Sequence, residues 1–111
     1  MADCIFCRIA RGEAAAEIVY QDEQIIAFRD IQPKAAVHLL VIPRKHIENL
    51  YDLGKDDQQL MAHLMLSLPR IAKQQGLDAG FRTITNTGHG GGQEVWHMHF
   101  HLMAGDIPAM Q

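Results

Sequence analysis

The sequence predicts an α+β domain built on an antiparallel sheet of about five strands, with one long helix and one short helix. Three observations carry this. Short β-prone runs are separated by turn-forming residues on both sides of a single helical stretch. That stretch repeats its apolar residues at the spacing of one helix face. The connections between runs are short.

In chain order, Cys4 to Arg11 places apolar residues at Ile5, Phe6, Ile9 and Ala10, a short amphipathic helix ahead of Gly12. Ile18–Tyr20 and Gln24–Arg29 read as a hairpin turned at Gln21-Asp22-Glu23. Asp30 to Lys34 breaks the pattern as a loop, and Val37–Ile42 (VHLLVI) resumes as a largely buried strand stopped by Pro43. Asp56 and Asp57 open the long helix, where the helix dipole favours acids. Its expected apolar stripe is Leu60, Met61, Leu64, Met65, Leu68, Ile71 and Ala72, with Gly76 as the stop. Pro69 lies inside the stripe, removes one backbone donor and is expected to kink the helix near Met65. Phe81–Asn86 is a strand, Thr87 to Gly92 a glycine loop and Trp96–Met103 the last strand.

With 111 residues and 48 % hydrophobic content, one domain spanning 1–111 is expected. A net charge of −3 and scattered basic residues argue against nucleic-acid or anionic-membrane binding. The N-terminus meets charge too early for a signal peptide, and no apolar run approaches spanning length. A cytoplasmic protein is therefore expected, which disfavours a disulfide between the only two cysteines, Cys4 and Cys7.

The segment EVWHMHFHLM, Glu94 to Met103, alternates three histidines with apolar residues. On a strand, His97, His99 and His101 would share one face, ~7 Å apart, and Met98, Phe100 and Leu102 the face toward the long helix. A metal site on all three is a rival reading, but three ligands from one strand are nearly collinear. One histidine serving a metal while another does chemistry fits better. Gly88, Gly90, Gly91 and Gly92 lead into this segment, and glycine lets backbone N–H groups approach an anion. A mobile hairpin loop is the alternative for the loop alone.

These residues resemble the histidine triad family, and the Hint branch of purine nucleoside phosphoramidases most closely. CIFCRIARGE, AFRDIQPKA, HLLVIPRKHI, GFRTITNTG and GGQEVWHMHFH fit it in order along essentially the whole chain. The resemblance implies a sheet paired into a continuous one in a homodimer, through the long helix and a central strand. It implies that His99 attacks the α-phosphorus of a nucleoside phosphoramidate, forming a nucleotidyl-histidine that water hydrolyses to the monophosphate. His101 would bond phosphate oxygens or assist the leaving amine, and His38 would orient the nucleophile's other ring nitrogen. Asn86 and the Gly92-Gln93-Glu94 backbone, with Val95 beside it, would hold the phosphate. Asp30 would take the ribose hydroxyls, and Phe6, Ile9, Phe28 and Ile31 the base. His101 stands where related nucleotidylyltransferases carry glutamine, which favours a hydrolase.

The chain departs from the branch at Glu94, at Ala14-Ala15 and at Asp106-Ile107-Pro108, all of which bear on substrate preference. For metal, zinc-bearing relatives imply a structural Zn²⁺ held by Cys4, Cys7, His46 and His97, outside the chemistry, and no diffusible cofactor. A dinucleoside polyphosphate hydrolase, a nucleotide-binding or scaffolding protein of weak activity, and a purely structural zinc module are the competing readings.

Overall fold

The computed structural model describes residues 4–107, so Pro108 of the departing C-terminal motif lies outside the described residues. It contains β1 (Ile18–Gln21), β2 (Ile25–Arg29), β3 (Val37–Pro43), β4 (Arg82–Ile84) and β5 (Phe100–Ala104), in the order β1-β2-β3-β5-β4. Every pairing is antiparallel. A short helix α1 (Ile5–Ala10) and a long helix α2 (Gln58–Gln74) complete the expected set. Among the described residues no helix is long and apolar enough to cross a membrane.

The central strands are apolar on both faces, and their period-two alternation sorts them into two cores. On one face Ile25, Ala27, Leu39 and Val41 join Met98, Phe100 and Leu102 against Leu64, Leu68, Ile71 and Ala72 of α2. On the other, Ile26, Phe28, Leu40 and Ile42 pack on Phe6 and Ile9 of α1. A six-residue helix covers only part of that second face. His38 of β3 and His101 of β5 lie on it, because Leu40 pairs with His101 and His38 with Met103.

Local chemistry fixes the connections. Cys4 caps α1, its Sγ accepting the Cys7 N–H at 3.3 Å. Asp22 Oδ1 accepts the N–H groups of Gln24 and Ile25 at 2.8 and 2.9 Å, closing the β1–β2 turn. Its other oxygen receives Tyr20 Oη and His63 Nε2, each at 2.7 Å, which ties the hairpin to α2. A 3₁₀ turn (Lys55–Asp57) leads directly into α2, and Asp57 accepts both the Gly54 N–H at 3.0 Å and Lys45 Nζ at 2.6 Å. At the far end Gly76 takes φ +77°, and the N–H groups of Gly76 and Leu77 donate back to Lys73 and Ala72, both at 3.0 Å.

Three expectations change. Met65 is 44 % exposed rather than part of the buried stripe. It lies about a quarter-turn from the centre of that stripe at ~100° per residue, and buried Ser67, bonded to the His63 carbonyl, stands on the inner face. The last strand begins at Phe100, not Trp96, and β4 has three residues rather than six. Pro43 ends the β3 edge with no N–H to offer, and its carbonyl receives His97 Nε2 at 2.7 Å. The Met98 N–H turns to the Ile47 carbonyl at 2.6 Å. Residues 97–99 therefore lie beside the 43–47 segment, outside the ladder.

Candidate active site

A cavity of about 600 Å³ opens on the α1 face of the sheet, within the range of small-molecule sites. It is lined by Phe6, Ile9, Phe28, Asp30 and Ile31 toward one side, and by Asn86, Gly92, Glu94 and Val95 from the glycine loop and its exit. His38, His99 and His101 line it as well. Gln93 does not. Its side chain is buried elsewhere, and its N–H donates to the Gly88 carbonyl at 3.0 Å. The Gly92 N–H is likewise used, on His89 at 3.1 Å. In this loop conformation the Gly92 and Gln93 N–H groups, expected to face a phosphate, are both engaged within the loop, which closes on itself.

The three histidines expected on one strand face keep their alternation but take unequal environments. His97 and His99 are buried, and His101 is partly exposed. His99 Nδ1 lies 2.7 Å from the His97 carbonyl, which can only accept, so Nδ1 carries the proton and the neutral ring keeps its lone pair on Nε2. Phe6 packs edge-on against this ring, centroids 5.2 Å apart. His38 does not orient His99, as expected from the sequence; it orients His101. The Lys34 N–H donates to His38 Nδ1 at 3.0 Å, so the proton of neutral His38 sits on Nε2, 2.8 Å from His101 Nδ1. His101 is thereby left with its proton on Nε2. Asp30 Oδ2 stands 3.4 Å from the same His38 nitrogen. The result is an acceptor nitrogen on His99 next to a donor nitrogen on His101, ring centroids 5.1 Å apart.

Burial, followed by the neighbouring imidazoles of His99 and His38, pushes the His101 pKa down to about 4. Burial also lowers that of His38, against the opposing pull of Asp30. Both rings stay neutral at neutral pH, which keeps the donor chain intact. A stability prediction follows. Unfolded histidine titrates near ~6.5, so as pH falls the unfolded chain binds this proton before the folded one. The contribution is fully present above that pH, declines toward pH 4 and then levels. Urea unfolding of wild type and of His101→Gln across pH 7 to 4 should show wild type losing stability more steeply. Parallel curves would contradict the depressed pKa.

A second cluster lies behind the strand exit. The ligand atoms of Cys4, Cys7, His46 and His97 all fall within 4.8 Å of one another. Cys4 Sγ is 3.3 Å from His97 Nδ1, Cys7 Sγ 3.5 Å from the same nitrogen and 3.3 Å from His46 Nδ1. Tetrahedral zinc at its usual Zn–S and Zn–N lengths sets S···N separations of ~3.5 Å. The His97 proton is directed by the Pro43 carbonyl to Nε2, so Nδ1 presents a lone pair to the thiols. His46 likewise turns Nδ1 to the thiols, while its Nε2 is buried without a hydrogen-bond partner among the described residues. The residues fit a Cys₂His₂ ion. Asp30, His38 and His101 also approach within 4.8 Å, but there the two imidazoles are bonded to each other.

Two contributors were not foreseen. Lys34 sets the His38 tautomer through its backbone, and Thr85 Oγ1 donates to the His99 carbonyl at 2.8 Å, holding the His99 backbone where no ladder does. Neither has a local signature, beyond the four-residue spacing of Lys34 and His38.

An antiparallel sheet that places three imidazoles in one cavity, two more beside two thiols, and a glycine loop at the rim defines the class of histidine-triad domains. Comparison agrees. The family model described as scavenger mRNA decapping enzyme C-term binding matches residues 3–111. Protein HitA of Neisseria gonorrhoeae is 48 % identical over 103 residues, 93 % of this chain and 96 % of that protein. A HIT family hydrolase from Legionella pneumophila Philadelphia 1 is 45 % identical with a TM-score of 0.90, covering 95 % of each chain. A histidine triad protein from Clostridium difficile is 42 % identical with a TM-score of 0.94, over 100 % of this chain and 98 % of that one. The chain belongs to the histidine triad family.

Proposed function

We propose that this chain is a nucleotide hydrolase that cleaves the P–N bond of purine nucleoside phosphoramidates and releases the nucleoside monophosphate. The observation that carries it is the tautomer pair: His99, whose Nδ1–H is held by the His97 carbonyl, and His101, whose Nδ1 is occupied by His38. The first makes Nε2 of His99 a nucleophile, and the second makes Nε2–H of His101 a donor to a phosphoryl oxygen. The hydrolase named among the solved relatives supports the reaction class, and the matching family is described for an mRNA decapping enzyme.

In the first step His99 Nε2 bonds to the α-phosphorus as the P–N bond breaks. The amine keeps the bonding pair and takes up a proton from solvent. In the second, water attacks the phosphorus, the phosphorus–His99 bond breaks, and the water returns a proton to solvent. Asp30 receives the ribose hydroxyls, Asn86 and the rim of the glycine loop hold the phosphate, and Phe6, Ile9, Phe28 and Ile31 enclose the base. Zinc on Cys4, Cys7, His46 and His97 would fix the residues that carry His99 and take no part in either step. Exposed Met65 and Leu66 on α2 support the homodimer that the resemblance implies.

Mass spectrometry after rapid quenching with adenosine phosphoramidate is the direct test. A nucleotidyl adduct on a His99-containing peptide is expected. An inactive wild type that still binds AMP would leave a binding protein. No cleavage of phosphoramidates combined with rapid cleavage of dinucleoside polyphosphates would transfer the chain to that branch.

A further inference from the structure

The side chain of Gln93 makes four hydrogen bonds while 5 % exposed. Its Oε1 accepts the Gly88 N–H at 2.9 Å and Asn49 Nδ2 at 3.1 Å. Its Nε2 donates to the Glu48 carbonyl at 2.6 Å and to the Val95 carbonyl at 3.0 Å. The partners dictate the amide's orientation, because a backbone N–H only donates and a backbone carbonyl only accepts. A side chain of this length with two donor hydrogens on one atom and an acceptor on the other is glutamine alone.

Resting on the reading of the site as a nucleotidyl-transfer centre, we infer that Gln93 is a positioning residue that locks the glycine loop in register with His99, without touching the nucleotide. Gly88 and Gln93 close the loop with two bonds, Gly88 N–H to the side chain and Gln93 N–H to the Gly88 carbonyl. Gly88 sits at φ +71°, ψ 175°, a conformation that essentially only glycine adopts. Gly92 and Glu94, on either side of Gln93, line the cavity. The opposite grip comes from the three residues after His46. Ile47 holds the Met98 N–H, while Glu48 and Asn49 hold Gln93. One short segment thus clamps both the exit of the loop and the residue before His99. The base and ribose side of the cavity rests on α1, β2 and the loop after it, and shares none of these bonds.

That separation makes the role testable. Gln93→Glu keeps the size but sets carboxylate oxygens against two carbonyl oxygens, and Gln93→Met keeps the volume without any hydrogen bond. Single-turnover formation of the His99 adduct from adenosine phosphoramidate should fall about 100-fold for Gln93→Glu and about tenfold for Gln93→Met. Calorimetric affinity for adenosine, which has no phosphate, should stay within about twofold of wild type, with folding verified by circular dichroism. Should Gln93→Glu fail to fold, Gln93→Met with Asn49→Ala carries the test, the latter showing a smaller loss because three of the four bonds remain. A folded Gln93→Met that forms adduct at the wild-type rate overturns the role, as does a parallel loss of adenosine affinity. Wild type forming no adduct is a separate failure, of the nucleotidyl-transfer reading itself, and takes this role with it.

Discussion

His99→Ala should lower turnover of an adenosine phosphoramidate by roughly 10⁴-fold or more, with AMP affinity little changed. The nitrogen proposed as nucleophile is removed outright, and no neighbour can replace it. His101 has its Nδ1 engaged by His38, and His97 commits one nitrogen to Pro43 and turns the other to the thiols. The fold should survive, because the lost ring borders the open cavity rather than a closed void, and its backbone stays held by Thr85 Oγ1. His101→Gln should cost far less, since the amide can still offer an N–H to a phosphoryl oxygen. Steady-state kinetics with both variants, and isothermal titration of AMP, read the outcome directly. More than about one per cent of wild-type turnover in His99→Ala would remove this residue from the nucleophile's role.

Much of this architecture was legible because it is local. The alternation of Met98, Phe100 and Leu102 against the histidines is a period-two pattern, and all three apolar residues do pack with α2. The cap of α2 at Gly76 and the turn at Asp22 depend on residues a few positions apart. What the sequence did not reveal runs through hydrogen bonds between distant segments. The last strand starts late because Pro43 and Ile47, some fifty positions earlier, claim His97 and Met98. Which imidazole His38 orients depends on how β3 and β5 register, and Leu40 opposite His101 decides it. Gln93 looked like part of a phosphate loop, and only its distant partners Glu48 and Asn49 show that it faces inward. The cysteine pair alone was uninformative; its partners His46 and His97 could be named only through family resemblance.

Loss of metal is the second large effect expected, and it should be read as stability before activity. Cys7→Ser should abolish stoichiometric zinc and lower the melting temperature by about 15 °C. An ion present at a thousandfold over its Kd stabilises by about 4 kcal/mol, and at this chain length about 1 kcal/mol shifts the melting temperature by ~4 °C. The thiols point the same way: burial, followed by the neighbouring Cys4, raises the Cys7 pKa, so a bound cation is what would draw the thiolate form at neutral pH. Activity should fall too, though only about tenfold, because His97 is both a proposed ligand and the residue whose carbonyl accepts the His99 Nδ1–H. Metal analysis, a thermal melt and a chelator titration of wild type separate these effects. Wild type purified without zinc, whose melting temperature ignores both chelator and added zinc, would show that the cluster holds no structural ion. Zinc binding with a full stability gain but unchanged turnover on its removal would keep the ion and break its link to His99. The two conclusions can fail independently, because one rests on the Cys₂His₂ separations and the other on a single backbone carbonyl.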